Sequence, residues 1–408
     1  MWRPFWLACF LTVGATPGVL ADWNQWRGPD RNGHVPGFQI PMQWPGQLKR
    51  RWKVTVGSGH ASPLIVGESA FVFARVGENE VVRCLRLGDG REVWRYSYPA
   101  PYEMNPAATG HGKGPKSTPA YAEGRLYTFG INGRLTALDA GTGRVIWQRD
   151  FSGQYTKTSP LYGVAASPLV YNGMVIVHVG GHDQGALTAF DARTGQVRWK
   201  WSGDGPAYAS PVLAALGGTN MLITQTQRRC VGLDPDTGRL LWSLPFTTPY
   251  DQNCVTPVVV GDRVIFGGTQ QPTFAVKVVR AGAGWQVART WQTRDATLYM
   301  STPVAVGQTI YGMTERRSGQ MFALDAGTGQ VFWTNSGRMG ENAAVFWAGN
   351  CLIALTTGAD LLVWRKQGNG MTEVARYRVA DSPTWASPAF SGRRILIKDA
   401  DALILWEI

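Results

Sequence analysis

The chain has 408 residues, 44% of them apolar and 11% aromatic, which excludes a disordered polymer. Gly 50 and Pro 24, with only 17% charged residues, exclude a helical bundle or coiled coil and suit short strands joined by tight turns. The formal net charge is +12, but no basic run is longer than Lys49-Arg50-Arg51 and none interleaves with aromatics, so no nucleic-acid groove is marked.

The first segment reads as a secretory leader. Arg3 is a short basic region, Phe5 to Val13 is apolar, and Val19 with Ala21 fits the small-x-small pattern before a cleavage point. Cleavage after Ala21 is expected. Cys9 lies inside the apolar run, so no lipidation cysteine stands at the cleavage point. No later stretch is long enough to span a membrane. The mature chain is expected to be periplasmic or secreted and monomeric. It keeps Cys84, Cys230, Cys254 and Cys351, with no C-x-x-C pair, so zinc is unsupported and the disulfide pairing stays open.

Residues 22–47 carry Trp23, Trp26, Phe38 and Trp44 among Gly and Pro, which predicts an irregular strap against the main body. Residues 48–408 are then a single repeating domain. One unit holds Asp139-Ala-Gly-Thr-Gly143-Arg-Val-Ile-Trp147. It recurs as Asp191 with Gly195 and Trp199, Asp234 with Gly238 and Trp242, and Asp325 with Gly329 and Trp333. A weaker copy ends at Gly90 and Trp94. The aspartate accepts backbone N–H bonds two or three residues on, and glycine takes a positive φ, so the segment is a hairpin turn. Tryptophan supplies a large ring whose N–H can reach a neighbouring carbonyl. Cys84 and Cys230 are expected in the small-residue place that Ala137, Ala189 and Ala323 hold, as core packing.

A second marker, Ser/Thr-Pro, recurs at Ser62, Thr118, Ser167, Ser210, Thr256, Thr302 and Ser387, with Asn342-Ala-Ala filling the missing place. Counting Trp52, Trp94, Trp147, Trp199, Trp242, Trp291, Trp333 and Tyr377 gives the same eight units. The step is 42 residues from Trp52 to Trp94 and 53 from Trp94 to Trp147. Four short strands per period of that size predict an all-β, eight-bladed propeller of antiparallel blades. The last unit ends after three strands, so the strand at Lys49 to Val56 is expected to complete it and close the ring.

These residues resemble a known family. The Ala137 to Trp147 unit is similar to the tryptophan-docking repeat of the pyrroloquinoline-quinone (PQQ) propellers, and Trp23-Asn-Gln-Trp-Arg-Gly-Pro resembles the start of secreted PQQ-like repeat proteins. One branch of that superfamily comprises quinoprotein alcohol dehydrogenases, which use PQQ, calcium, a catalytic aspartate and usually a disulfide between adjacent cysteines. The other resembles BamB, a protein-binding propeller of the outer-membrane assembly machinery. This chain has no Cys-Cys pair, and its blades are compact. The resemblance therefore implies a non-catalytic binding or scaffold protein of the envelope, holding a protein or polymer. The alternative is a divergent PQQ- and calcium-dependent oxidoreductase of alcohols or sugars.

Any ligand would meet the loops before the Ser/Thr-Pro markers. These hold His60; Glu103, Asn105, His111, Lys113 and Lys116; Tyr155 and Lys157; Asp204 and Tyr208; Tyr250, Asp251 and Asn253; Arg294, Asp295 and Tyr299; Arg338, Glu341 and Asn342; Asp381 and Trp385. On the enzyme alternative alone, Asp251 or Asp295 would act as general base. Glu103, Asn253 and Asn342, with Asp251, would offer calcium oxygens, Arg294 or Arg338 would face quinone carboxylates, and Trp385 would offer an aromatic face. His182-Asp183 reads as a local turn contact.

Overall fold

Each repeat folds as a four-stranded antiparallel sheet, and eight such sheets form the ring in the computed structural model. The structure describes residues 22–155 and 160–408; the expected leader, residues 1–21, and Lys157 lie outside the described residues. Blades 1 to 7 occupy residues 64–99, 120–150, 169–201, 212–245, 258–293, 304–334 and 343–378. Blade 8 takes three strands from residues 389–407 and its outermost strand from Lys49–Thr55, which pairs antiparallel with Ala402–Glu407. The ring is thus closed by joining the two ends of the chain, which leaves no terminal blade face open.

The tryptophan turn explains the repeat. Asp139 Oδ1 accepts from the backbone N–H of Thr142 at 2.9 Å and from its hydroxyl at 2.7 Å, fixing the turn. That turn exposes the carbonyl of Ala140, which accepts the indole N–H of Trp94 from the preceding blade at 3.0 Å. The same bond runs from Trp147 to Ala192, from Trp199 to Pro235 and from Trp291 to Ala326. Trp52 gives its N–H to Leu87, so the ring-closing blade docks on blade 1 in the same way.

Blades 5 and 7 instead carry long hairpins, Thr273–Ala281 with Gly284–Thr293 and Asp360–Gln367 with Gly370–Arg378. They offer no Asp-x-x-Thr-Gly turn to the blade before. Trp242 accordingly turns its N–H to Met221 Sδ in its own blade, at 3.3 Å. Tyr377 fills the seventh place and donates to Pro45 of the strap at 2.6 Å.

Opposite each docking ring, the neighbouring strand carries a small residue: Ala137 faces Trp147, Ala189 faces Trp199 and Cys84 faces Trp94. In blade 4 this place belongs to Gly232, whereas Cys230 pairs with Leu244. The expectation for Cys230 is therefore two positions out, because the indole of Trp242 crosses position 232 and a Cβ there would fall 2.3 Å from it. Cys230 is still a core residue, fully buried between blades 4 and 5. All four cysteines among the described residues are free thiols.

The Ser/Thr-Pro marker forms an inner seam. The backbone N–H of Ser387 donates to the hydroxyl of Ser62, Ser62 to Thr118, Thr118 to Ser167 and Ser167 to Ser210, each at 3.0 Å. Thr256 donates to Thr302 at 3.1 Å. Each link crosses from one blade to the next at the start of the innermost strand. Proline follows, fixing φ where the strand begins and needing no donor of its own.

Residues 22–47 lie across the channel where the inner strands run out. Trp23 bridges to Ile65 and His34 to Trp347. Two arginines reach inward. Arg27 donates to the carbonyls of Thr302, Pro303 and Val345 at 3.0, 2.8 and 3.3 Å. Arg31 donates to those of Pro211, Pro168 and Ser167 at 2.8, 2.8 and 3.2 Å. Both are 3% exposed, and burial pulls both guanidinium pKa values down to about 9. They clamp blades 6 and 7 on one side of the channel and blades 3 and 4 on the other.

Candidate functional site

The opposite mouth is built by the loops that lead into the inner strands. Five of them contribute rings that touch in sequence around the rim. Trp385, before blade 8, stacks on His60, before blade 1, with centroids 5.6 Å apart and planes at 18°. His111, before blade 2, stands edge-on to Trp385 at 5.2 Å and to Tyr162 at 5.0 Å. Tyr162, before blade 3, meets Tyr208, before blade 4, at 5.5 Å.

Polar bonds fix the cluster. Gln252 donates to the Tyr162 hydroxyl at 2.7 Å, and the Tyr208 hydroxyl accepts the backbone N–H of Tyr162 at 3.3 Å. Lys116 donates to the carbonyl of Gly112 at 3.1 Å. Burial first, then the nearby Lys116 charge, pulls the His60 pKa down to about 3, and burial lowers that of His111. Lys116 is itself pulled down to about 8 by burial. At neutral pH both imidazoles are uncharged, so the mouth presents flat, weakly polar faces with hydrogen-bonding edges.

Beside this cluster the loop before blade 5 is strained. Tyr250 and Asp251 both have left-handed backbones, with φ of 60° and 53°. Tyr250 is 76% exposed and projects an aromatic ring to solvent. Strain of this kind persists where the surroundings over-determine it, and it clusters at binding sites. Here Asp251 Oδ2 accepts from Gln227 at 3.1 Å and lies 3.6 Å from His182 Nδ1. Asp183, next to His182, pairs with Arg228 at 2.6 Å.

The remaining sequence-predicted rim residues are placed as follows. Asn253 is fully buried; its amide donates to the carbonyls of Thr226, Gln227 and Phe246, and its oxygen accepts from Thr248. It braces the loop rather than facing the channel. Asp295 is exposed and pairs with Arg316 at 3.1 Å. Arg294 is exposed and reaches the Gln270 carbonyl at 3.4 Å. Arg338 and Glu103 are exposed on separate loops. Asp381 pairs with Lys53 at 2.8 Å. Asn342 is buried and points into the channel interior.

Among the described residues, no three His, Cys, Asp or Glu side chains gather as metal ligands. Asn253 has its amide fully used, and Asp251 and Asp295 hold separate partners. These residues do not fit a calcium–quinone pair. Trp385 does offer an aromatic face, but it shares that face with His60. Tyr162 is the one ring of the cluster that sequence reasoning missed. Its signal was its place five residues before Ser167, within the same kind of loop that holds Tyr208.

Comparison with known proteins places this architecture. The family model described as outer membrane protein assembly factor BamB matches residues 78–335. BamB of Yersinia pestis is 26% identical over 297 residues, covering 71% of this chain and 72% of that protein. Quinohemoprotein alcohol dehydrogenase ADH-IIG of Pseudomonas putida is 30% identical over 227 residues, covering 48% of this chain but only 30% of the dehydrogenase. The chain thus matches about a third or less of the length of such dehydrogenases. Among solved structures, BamB of Moraxella catarrhalis gives a TM-score of 0.63 at 16% identity, covering 88% of this chain and 98% of that one. The dehydrogenase of Comamonas testosteroni gives 0.66 at 15% identity, covering 95% of this chain and 80% of that one; both likenesses show the fold alone. No helix among the described residues is long and apolar enough to cross a membrane. The chain belongs to the family described as outer membrane protein assembly factor BamB.

Proposed function

We propose that this protein is a non-catalytic binding propeller of the bacterial envelope, which holds a segment of another envelope protein at its aromatic mouth. One observation carries the reading. Five adjacent loops converge their rings at one mouth, and no acidic set gathers there among the described residues. Rings with polar edges give large contact area at low entropic cost and favour a peptide over a small charged substrate. The strap supports the same reading, since Arg27 and Arg31 cross the channel at its other end. The match to the assembly-factor family over residues 78–335 also supports it. Export, as the leader suggests, would bring the protein to that compartment.

The alternative, an oxidoreductase using PQQ and calcium, rests on the partial similarity to quinohemoprotein dehydrogenases. The experiment replaces the exposed Tyr250 by a photo-crosslinking amino acid in a cell that makes the protein. The reading predicts a discrete protein adduct at the mouth that disappears when Trp385→Ala is added. An adduct unchanged by Trp385→Ala, or adducts only from outer blade faces, would remove the mouth as the binding surface.

A further inference from the structure

Between the aromatic mouth and the strap lies a cavity of about 70 Å³ in the channel, lined by Trp26, Arg27, Met300, Asn342, Thr384 and Trp385 among others. Its polar chemistry is unbalanced. Asn342 is 5% exposed, and neither its amide oxygen nor its amide nitrogen meets a hydrogen-bond partner among the described residues. Arg27 is 3% exposed, and its Nε–H also meets none. Buried polar groups are nearly always paired, so two such side chains on one cavity wall require an explanation.

Charge sharpens it. The hydrogen-bond partners of the Arg27 guanidinium are backbone carbonyls, those of Thr302, Pro303, Val345 and Asn32. Arg31 meets carbonyls and the Gln25 side-chain oxygen. The nearest acid along the chain, Asp30, is exposed. Arg27 is therefore a buried cation held by carbonyl dipoles and by the Phe346 ring, 5.5 Å from its centroid, with no carboxylate among its partners, although buried charges ordinarily carry a counter-charge. Asn342 stands where blade 7 lacks the Ser/Thr-Pro marker, so the sequence breaks its own repeat at this wall. One water centre needs about 10–15 Å³ of such free volume, so this cavity has room for a small ion with water beside it. Two N–H donors, with ring walls and the hydroxyl-bearing Thr302, Thr357, Thr384 and Ser387 around them, suit a small anion.

We propose that this cavity is a site for a small inorganic anion of chloride or bromide size, held between Arg27 Nε and the Asn342 amide. The anion neutralises the buried guanidinium and so ties the strap to the channel wall.

The test uses the full mature chain. Thermal melting is followed in sodium chloride, sodium bromide and sodium gluconate at equal ionic strength. A ligand that binds only the folded state raises the melting temperature by about 1–2 °C per tenfold rise in halide above its dissociation constant. The proposal predicts that rise in chloride and bromide, none in gluconate, and its loss in Asn342→Leu, which fills the cavity with an apolar side chain. Crystals grown in bromide should give an anomalous peak between Arg27 and Asn342. Equal melting in all three salts would overturn the proposal, as would a halide effect that Asn342→Leu retains. If that variant does not fold, the bromide crystal of the unmutated protein decides: no anomalous peak in the cavity overturns the site.

Discussion

Trp94 of one blade lies so close to Gly143 of the next that a Cβ at position 143 would fall 2.4 Å from its ring. Gly143 also has a φ of +73°, where an L side chain is strained. Two demands thus meet on one glycine, and the same pairing recurs for Trp147 with Gly195, Trp199 with Gly238 and Trp291 with Gly329. Gly143→Ala should cost about 2–4 kcal/mol, from the left-handed backbone and from displacing the indole. Gly261 is the control: its φ is +59° with nothing within 4 Å, so Gly261→Ala should cost only about 1 kcal/mol. Urea unfolding midpoints of the two variants check the difference.

The docking bond itself is separable from the ring. Trp199→Phe removes the N–H given to Pro235 and strands a buried carbonyl, at a cost of about 1–3 kcal/mol. Trp242→Phe loses only a bond to sulfur within its own blade and should cost less at comparable lost area. Paired melting curves test this; equal losses would show that the carbonyl bond carries no weight.

Arg31 spans two blades through three carbonyls that no other side chain in its place could satisfy together. Arg31→Lys should lower stability by about 3 kcal/mol, because buried carbonyls lose partners and the compact ammonium cannot bridge them. Arg193→Lys, on an exposed turn, should change stability by less than about 0.5 kcal/mol. Melting temperatures of both variants, measured side by side, check the contrast.

Acid should destabilise the fold before its carboxylates titrate. His178 is 7% exposed, its Nε2 lies 3.1 Å from the Asp204 carbonyl, and burial pulls its pKa from 6.5 to about 4. The neutral ring is the folded form, so its contribution is present above pH 6.5 and is lost as pH falls towards 4. His60 acts in the same sense down to about 3. Glu80, whose pKa burial raises, acts in the opposite sense. His178→Gln should therefore melt with a shallower fall between these limits than the unmutated chain, and an unchanged slope would remove His178 from the acid response.

Much of this fold was legible because a propeller writes each blade into the chain at a fixed period. Trp52 announced ring closure, since the blade that ends at Glu407 lacked one strand. Blades 5 and 7 lack Asp-x-x-Thr-Gly, and no repeat spacing says that Trp242 then bonds within its own blade. The mouth was half legible. His60, His111, Tyr208 and Trp385 belong to loops that the repeat places together, but no spacing says that Trp385 stacks on His60. The clamp of Arg27 and Arg31 was not legible, because its partners are backbone carbonyls, which every residue carries. The place of Cys230 was misread because the small-residue position counts back from the aspartate, which selects Gly232.

If the mouth binds protein, as proposed, it takes up no redox cofactor. Titration calorimetry of the purified chain with PQQ in the presence of calcium separates the two readings. No saturable heat and no thermal stabilisation are expected. Saturable binding that disappears when calcium is chelated would contradict the proposed reading and return the chain to the quinoprotein branch.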